Sequence, residues 1–397
     1  MKVKRDCMPL KINDTFASRS IVVDYEVITP YGNGLDFCWN GLLRGKTAIE
    51  RISRISTENF LTDNAAIING LDQNVDESLV MQMLKNLFSY RMPIIPKDAC
   101  LFLATTTGEI DLLEKDILKG KKNSERSSLQ NFLRKVEKLT GVKENSGVLI
   151  SAACASSTVA IAKAAMMIST GEIDCALIVA CDCVSEFVFS GFSGLMALSD
   201  SISKPFDKNR NGLSLGEAAG YILLMNEERT KRESINNLGE VAGWGFSSDA
   251  YHMTGPSPDG SGLVSAIANA LAKSELSPDD ICCISAHGTG TVYNDAMEIK
   301  AFKSVFSNRD IPTFSIKGGT GHTLAAAGLL ETIITLKSLN EKIILPTVNF
   351  SKPDDDCAGS WISSEKRYLS HNKYALKVNA GFGGINAALI LKHIKHL

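Results

Sequence analysis

Cys154 lies in the run Ser151-Ala152-Ala153-Cys154-Ala155-Ser156-Ser157. The apolar stretch Gly147-Val148-Leu149-Ile150 before it reads as a buried strand, and the Ala-rich stretch from Ala155 to Ile168 reads as a helix that Gly171 is placed to end. A cysteine at such a strand-to-helix turn sits beside unpaired backbone N–H groups and the positive end of the helix dipole, which favour thiolate over thiol. Its small neighbours predict an accessible sulfur. Two histidines occupy comparable turns. His287 opens His287-Gly288-Thr289-Gly290-Thr291 straight after the apolar strand Ile281 to Ile284. His322 closes Lys317-Gly318-Gly319-Thr320-Gly321-His322 after Thr313-Phe314-Ser315-Ile316, at the start of a second Ala-rich helix. Ligands of open α/β sheets bind beyond the carboxyl ends of strands, so three reactive residues at three such ends predict one site. The helix N-terminus beside His322 favours the uncharged ring, which can donate an N–H to a developing oxyanion.

The elements that must position these groups alternate between strand and helix. Strands are expected near Ile21-Val22-Val23, Asp98 to Thr105, Cys175 to Cys181, Gly216 to Met225, Val241 to Gly245, Ile281 to Ala286 and Pro312 to Ile316. Tyr374 to Ala380 and Ile385 to Lys392 read as two strands joined by the turn Gly381-Phe382-Gly383-Gly384. Helices are expected over Leu35 to Leu43, Ile110 to Thr140 with a polar break at 119–124, Leu263 to Ser274, Asn294 to Phe306 and His322 to Leu339. The pattern implies an α/β architecture with sheets covered on both faces. A strand–turn–helix unit recurs around Cys154 and His287, which hints at duplication. The charged stretch Glu227 to Asn237 is read as the boundary, giving an N-terminal arm at 1–19, one half at 20–235 and a second half at 236–397.

Composition sets the limits. The chain has 397 residues, 44% hydrophobic and 22% charged, with a formal net charge of −2. That supports a large core and argues against a general nucleic-acid binder. No apolar run has membrane-spanning length, and Met1-Lys2-Val3-Lys4-Arg5-Asp6 is not followed by a signal-peptide core, so a cytoplasmic protein is expected. Ten irregularly spaced cysteines fit a reducing compartment better than a disulfide framework. Cys181-Asp182-Cys183 and Cys282-Cys283 lack zinc-site spacing, and no metal is expected.

Several motifs occur in one order along the chain. They are Ala153-Cys154-Ala155-Ser156-Ser157, His287-Gly288-Thr289-Gly290-Thr291 with Asn294-Asp295 and Glu298, Lys317 with Gly321-His322, Ala325-Ala326-Ala327-Gly328 with Glu331, and Gly381-Phe382-Gly383-Gly384. Together with Pro205-Phe206-Asp207 and Ser247 to Thr254, they resemble the elongating β-ketoacyl-acyl carrier protein synthases, ketosynthases of the thiolase superfamily, from about Ile21 to Lys392. The resemblance implies two duplicated α/β halves in five layers (αβαβα). It implies that Cys154 takes an acyl group from acyl carrier protein, and that malonyl-carrier protein then loses CO₂ to give a carbanion that attacks the acyl thioester. His287 and His322 would stabilise the enolate, and the backbone N–H groups of Cys154 and Phe382 the tetrahedral intermediate. Lys317 and Glu331 would be a supporting pair orienting the His322 side. Thr289 and Thr291 would hydrogen-bond phosphopantetheine, Phe382 would gate the acyl pocket, and Gly381 and Gly383 would let the backbone approach substrate. No cofactor would be held permanently, since phosphopantetheine arrives on the carrier.

The resemblance also implies a dimer, homodimeric or with a second ketosynthase-like chain. Carrier proteins are acidic, so a basic entrance is expected, with Lys204, Lys208 and Arg210, and more loosely Lys121, Lys122 and Arg126. The alternative reading is a non-catalytic partner subunit that sets chain length; such subunits lack the nucleophile. The chain departs from the family pattern at Val23-Asp24-Tyr25-Glu26, Thr105 to Glu109, Ala180 to Cys183 and Ala380. These departures look more like ketosynthases of specialised polyene or pigment pathways than housekeeping fatty-acid synthases.

Overall fold

The computed structural model describes residues 18–121, 125–307, 309–354, 361–369 and 373–393. Of the expected arm only Ser18 and Arg19 fall inside this range, and Lys122 falls outside it. No helix among the described residues is long and apolar enough to cross a membrane.

Among the described residues, ten strands form the main path of an eleven-stranded sheet. In the first half they are β1 (Ser20–Thr29), β2 (Cys100–Ala104), β3 (Val148–Ile150), β4 (Cys175–Asp182) and β5 (Ala218–Asn226). In the second they are β6 (Gly239–Ser248), β7 (Ile281–Ser285), β8 (Thr313–Phe314), β9 (Tyr374–Gly381) and β10 (Ile385–Lys392). The first set is ordered β3-β2-β4-β5-β1 and the second β8-β7-β9-β10-β6. Adding five to each label of the first order gives the second. Strand directions repeat too: β5 and β10 are the antiparallel members, while β2 and β7 each pair in parallel on both sides. Duplication invisible in the residue types is plain in topology. The halves join where the start of β1 pairs with β6, Ser20 opposite Val241.

Side-chain alternation along the strands separates the layers. Ile178 and Leu389 face a central core, and their neighbours Leu177 and Ile390 face outer ones. Four helices frame these cores: α1 (Leu79–Tyr90), α2 (Ser156–Ser169), α3 (Ser261–Lys273) and α4 (Ala327–Glu341). The central core holds Ile161 and Ala165 of α2 and Leu330 and Ile333 of α4 between Ile222 of one sheet and Leu391 of the other. The outer cores use Leu84 and Leu87 of α1, and Leu263 and Ile267 of α3. The result is five layers, helix–sheet–helix–sheet–helix. The middle helices approach closely because Gly328 of α4 has no Cβ: one built there would lie 2.1 Å from Thr158 Oγ1 of α2.

Two expectations need correction. Strand β3 is not buried: it is the last strand of its sheet, and Val148 is 40% exposed. His322 does not open the long helix. It follows a single short turn at Lys317–Thr320, and α4 starts only at Ala327.

Candidate active site

Cys154 sits on a strained elbow. Ala153 adopts φ 47°, a left-handed conformation that costs a non-glycine residue energy and persists because its surroundings fix it. Ser156 fixes it: its hydroxyl donates to Ala153 O at 2.6 Å and accepts from Ala152 N–H at 2.8 Å. Helix α2 then begins at Ser156, so the cysteine lies beside its N-terminus as expected. The sulfur is not open to solvent, however. Cys154 is only 5% exposed, and burial pushes its thiol up to about 11, against the opposing pull of the Lys317 charge and the Phe382 N–H. The resting group is a thiol, which corrects the expectation of an accessible thiolate.

The two histidines meet it. One ligand-type atom from each of Cys154, His287 and His322 lies within 4.8 Å of the others, and the imidazoles stand edge to face with centroids 5.3 Å apart. Both rings are buried. Burial holds His287 well below the usual imidazole range, helped by the charges of Lys317 and Lys377 and by His322; burial and then Lys317 do the same for His322. The neutral ring expected for His322 is present, but burial is its leading cause. Nδ1 of His322 accepts the Leu324 backbone N–H at 3.1 Å. Nδ1 of His287 faces Asn379 Nδ2 at 2.9 Å and Lys317 Nζ at 3.1 Å, and an ammonium can only donate. A neutral imidazole whose Nδ1 accepts carries its proton on Nε2. Each ring therefore has one free N–H donor.

Lys317 and Glu331 form a buried ion pair, and its ammonium also donates to His287 O at 2.5 Å. The hydrogen bonds of Lys317 go to His287, while its charge acts on both imidazoles. Glu298 accepts the backbone N–H groups of His287 and Gly288, each at 2.7 Å, and burial followed by the Asp295 charge pushes its carboxyl up to about 8. Asp295 accepts from Thr289 N–H at 3.0 Å and Phe206 N–H at 2.6 Å, which shapes the turn carrying Thr289 and Thr291. Those two hydroxyls lie 2.9 Å apart.

Cys154, His287, His322, Thr289 and Thr291 line a cavity of about 460 Å³. Phe382 stacks on Phe192 with centroids 5.7 Å apart at its wall. Gly381 rests against the cysteine turn, where a Cβ would lie 3.3 Å from Cys154 N, and Gly383 takes φ 82° at the hairpin tip. The mouth carries exposed Tyr251, Val292 and Tyr293 and no lysine or arginine among the described residues. Of the expected basic groups, Arg210 is buried and bonded to Asp354 at 2.7 Å, and Lys121 pairs with Asp116 at 3.0 Å. Lys204 is half-buried and Lys208 exposed, while the Arg126 side chain lies outside the described residues.

Sequence reasoning missed four site residues. His252 and Asn386 line the cavity. Asn379 donates to His287, and Lys377 lies wholly buried beside it. A lysine inside the otherwise apolar Ala375-Leu376-Lys377-Val378 was the available signal. Two departures from the family pattern also find each other. Buried Asp182 accepts the Thr105 and Thr106 hydroxyls at 2.7 Å each, and the Ala325 N–H of the other half at 2.9 Å.

A duplicated five-layer fold with a cysteine and two histidines at strand ends is the thiolase-like architecture. Residues 146–230 match the beta-ketoacyl synthase N-terminal domain and 238–351 its C-terminal domain. The chain belongs to the β-ketoacyl synthase family. It is 29% identical to 3-oxoacyl-[acyl-carrier-protein] synthase 2 of Vibrio cholerae, over 95% of this chain and 99% of that one. Against the enzyme of that name from Staphylococcus aureus it is 26% identical over 94% and 98%. The solved ishigamide ketosynthase/chain length factor superposes with a TM-score of 0.85 at 25% identity, over 96% of this chain and all of that one. A type II polyketide ketosynthase solved with its acyl carrier protein gives the same score and identity over 95% and 100%.

Proposed function

We propose that this chain catalyses decarboxylative Claisen condensation: an acyl group held on Cys154 combines with malonyl-acyl carrier protein to give β-ketoacyl-acyl carrier protein and CO₂. The observation that carries the reading is the Cys154–His287–His322 cluster, in which both imidazoles present an Nε2–H. In the first half-reaction the Cys154 sulfur attacks the acyl thioester. The carrier's pantetheine sulfur leaves, and the net proton passes from the Cys154 thiol to that sulfur. In the second, the malonyl C–CO₂ bond breaks and its electron pair forms the enolate. The two N–H donors meet the charge on the thioester oxygen without reorganising. The enolate carbon then attacks the acyl carbonyl and the Cys154 thiolate departs. The N–H groups of Cys154 and Phe382 stabilise the tetrahedral oxyanion in both acyl transfers. Thr289 and Thr291 hold the phosphopantetheine amides, and the Phe192–Phe382 stack gates the acyl cavity.

The partner is an acyl carrier protein, in fatty-acid or polyketide synthesis in the cytoplasm. Its approach runs over an aromatic mouth, with Lys204 and Lys208 as flanking charges. A second ketosynthase-like chain, identical or not, pairs along β3, whose edge is open and which lies in the same half as exposed Phe187, Leu195 and Met196. The non-catalytic chain-length-setting role is not favoured, because the nucleophile and both histidines are in place.

Incubation with acyl-carrier protein followed by intact-mass measurement tests the nucleophile. One acyl adduct per chain is expected, and none with Cys154→Ala. An adduct that persists in the variant rejects the assignment.

A further inference from the structure

Lys377 is the one fully buried lysine of β9, with 0% exposure, and the reaction just described makes no use of it. Its Nζ lies 3.3 Å from Glu331 Oε2 and 2.6 Å from Thr158 Oγ1, and it also donates to Asn379 Oδ1. Thr158 donates to the same amide oxygen. The consequence follows from donor inventory. Asn379 Oδ1 takes both the Lys377 and the Thr158 donors, so the amide turns its oxygen towards Lys377. Its Nδ2 is then aimed the other way, at His287 Nδ1 at 2.9 Å and Glu331 Oε2 at 2.9 Å. Glu331 is thereby held by both buried lysines, Lys317 on one oxygen and Lys377 on the other. Every path from this network ends on the Nδ1 side of His287.

We propose that Lys377 is a positioning residue for the condensation: through Asn379 and Glu331 it holds His287 neutral and with its proton on Nε2, facing Cys154. The inference rests on the decarboxylative reading above. The charged or titratable groups around His287 are Cys154, Lys317, Lys377, Glu331, Glu298 and His322. Removing the Lys377 charge leaves Lys317 as the only nearby cation, so the ring gains affinity for a proton. Release of the Asn379 amide frees it to present its oxygen to Nδ1.

The test is Lys377→Met, which keeps the stem and removes the donor. Loss of an outer partner of this kind costs about 10- to 100-fold. That loss is expected in decarboxylation of malonyl-carrier protein, while acyl loading of Cys154 stays within about threefold. The acid limb of the condensation rate should move to higher pH. Isotope-labelled histidine gives the direct readout, with the His287 ring signals assigned by their absence in His287→Ala. The wild type should show a neutral Nε2–H ring, and Lys377→Met a shifted tautomer balance or protonation midpoint. Equal losses in both half-reactions, or unchanged ring signals in the variant, overturn the proposal. An Nδ1–H ring in the wild type overturns it without any variant, which covers a Lys377→Met chain that fails to fold. Wild-type protein that loads acyl groups but never condenses rejects the functional reading instead, and the ring measurement still decides this one.

Discussion

The two halves share a strand order and spend their strand ends differently. Cys154 follows β3 and His322 follows β8, the equivalent strand of the repeat. His287 follows β7, whose counterpart β2 is followed by Thr105, Thr106 and Thr107. The ends of β4 and β9 are equivalent as well, and each carries a polar hub that reaches across to the other half. In the first half the hub is Asp182, a carboxylate that gathers hydroxyls and reaches the Ala325 N–H. In the second it is Lys377 with Asn379, which reaches Thr158 of α2 and His287. One half presents a nucleophile on a strained turn. The other presents neutral donors on a buried ionic frame. Duplication supplied the scaffold twice, and on the proposed mechanism divergence at equivalent strand ends separated covalent attachment from stabilisation of the enolate.

Breaking the second half's contribution should have the largest effect. With His322→Ala the Nε2–H next to the developing enolate is gone, and loss of one such donor costs about 10²- to 10³-fold in rate. Acyl loading on Cys154 is expected to continue, because its nucleophile and backbone donors remain. Single-turnover assays of each half-reaction check this. Full condensation in the variant would erase the division of labour between the halves.

Much of this division was legible in local sequence. The turns at Cys154, at His287 and at Gly381 to Gly384 each follow an apolar strand within a few residues, so periodicity and glycine placement located them. What the residues could not reveal is non-local. Cys154 shares its cavity with Phe192 and Phe382, far from it in sequence, and its burial reverses the expected direction of its acidity. The exposure of Val148 depends on β3 ending its sheet, a fact of topology. Arg210 read as a free surface cation because its partner Asp354 lies 144 residues away. Lys317 pairs with Glu331, and its hydrogen bonds reach His287, 30 residues away, since sequence adjacency to His322 says nothing about where a long side chain reaches.

The Asp182 hub sharpens the comparison at the level of stability. Asp182→Ala strands the buried Thr105 hydroxyl and Ala325 N–H, each unpaired group costing about 1–3 kcal/mol before relaxation, and frees the half-buried Thr106 hydroxyl. A total loss of about 3 kcal/mol in denaturant unfolding is expected. Condensation should fall more than acyl loading, because Ala325 sits in the loop that follows His322. A variant as stable as the wild type would make Asp182 a passenger.

The smallest effect should come from pH. Burial pushes the Lys377 ammonium down to about 7, with Glu331 opposing, while an unfolded lysine titrates near 10.5. Between those values the unfolded chain holds one proton more than the folded chain, so stability rises with pH across this window. Below about 7 both states are protonated and the full cost of burying the charge is present. Linkage gives Lys377 a contribution of about 1 kcal/mol between pH 7 and pH 8. Other groups titrate in the same range, Glu298 among them with its carboxyl near 8, so the quantity to read is the difference between wild type and Lys377→Met. Denaturant unfolding of both at a series of pH values should give curves whose separation grows in favour of the wild type as pH rises. Asp182, the first half's hub, has its carboxyl raised by burial against the opposing pull of the Thr106 and Thr105 hydroxyls and the Ala325 N–H. Parallel curves for wild type and Lys377→Met would mean that the ammonium is fully compensated by Glu331, and the two hubs would then differ in geometry but not in charge.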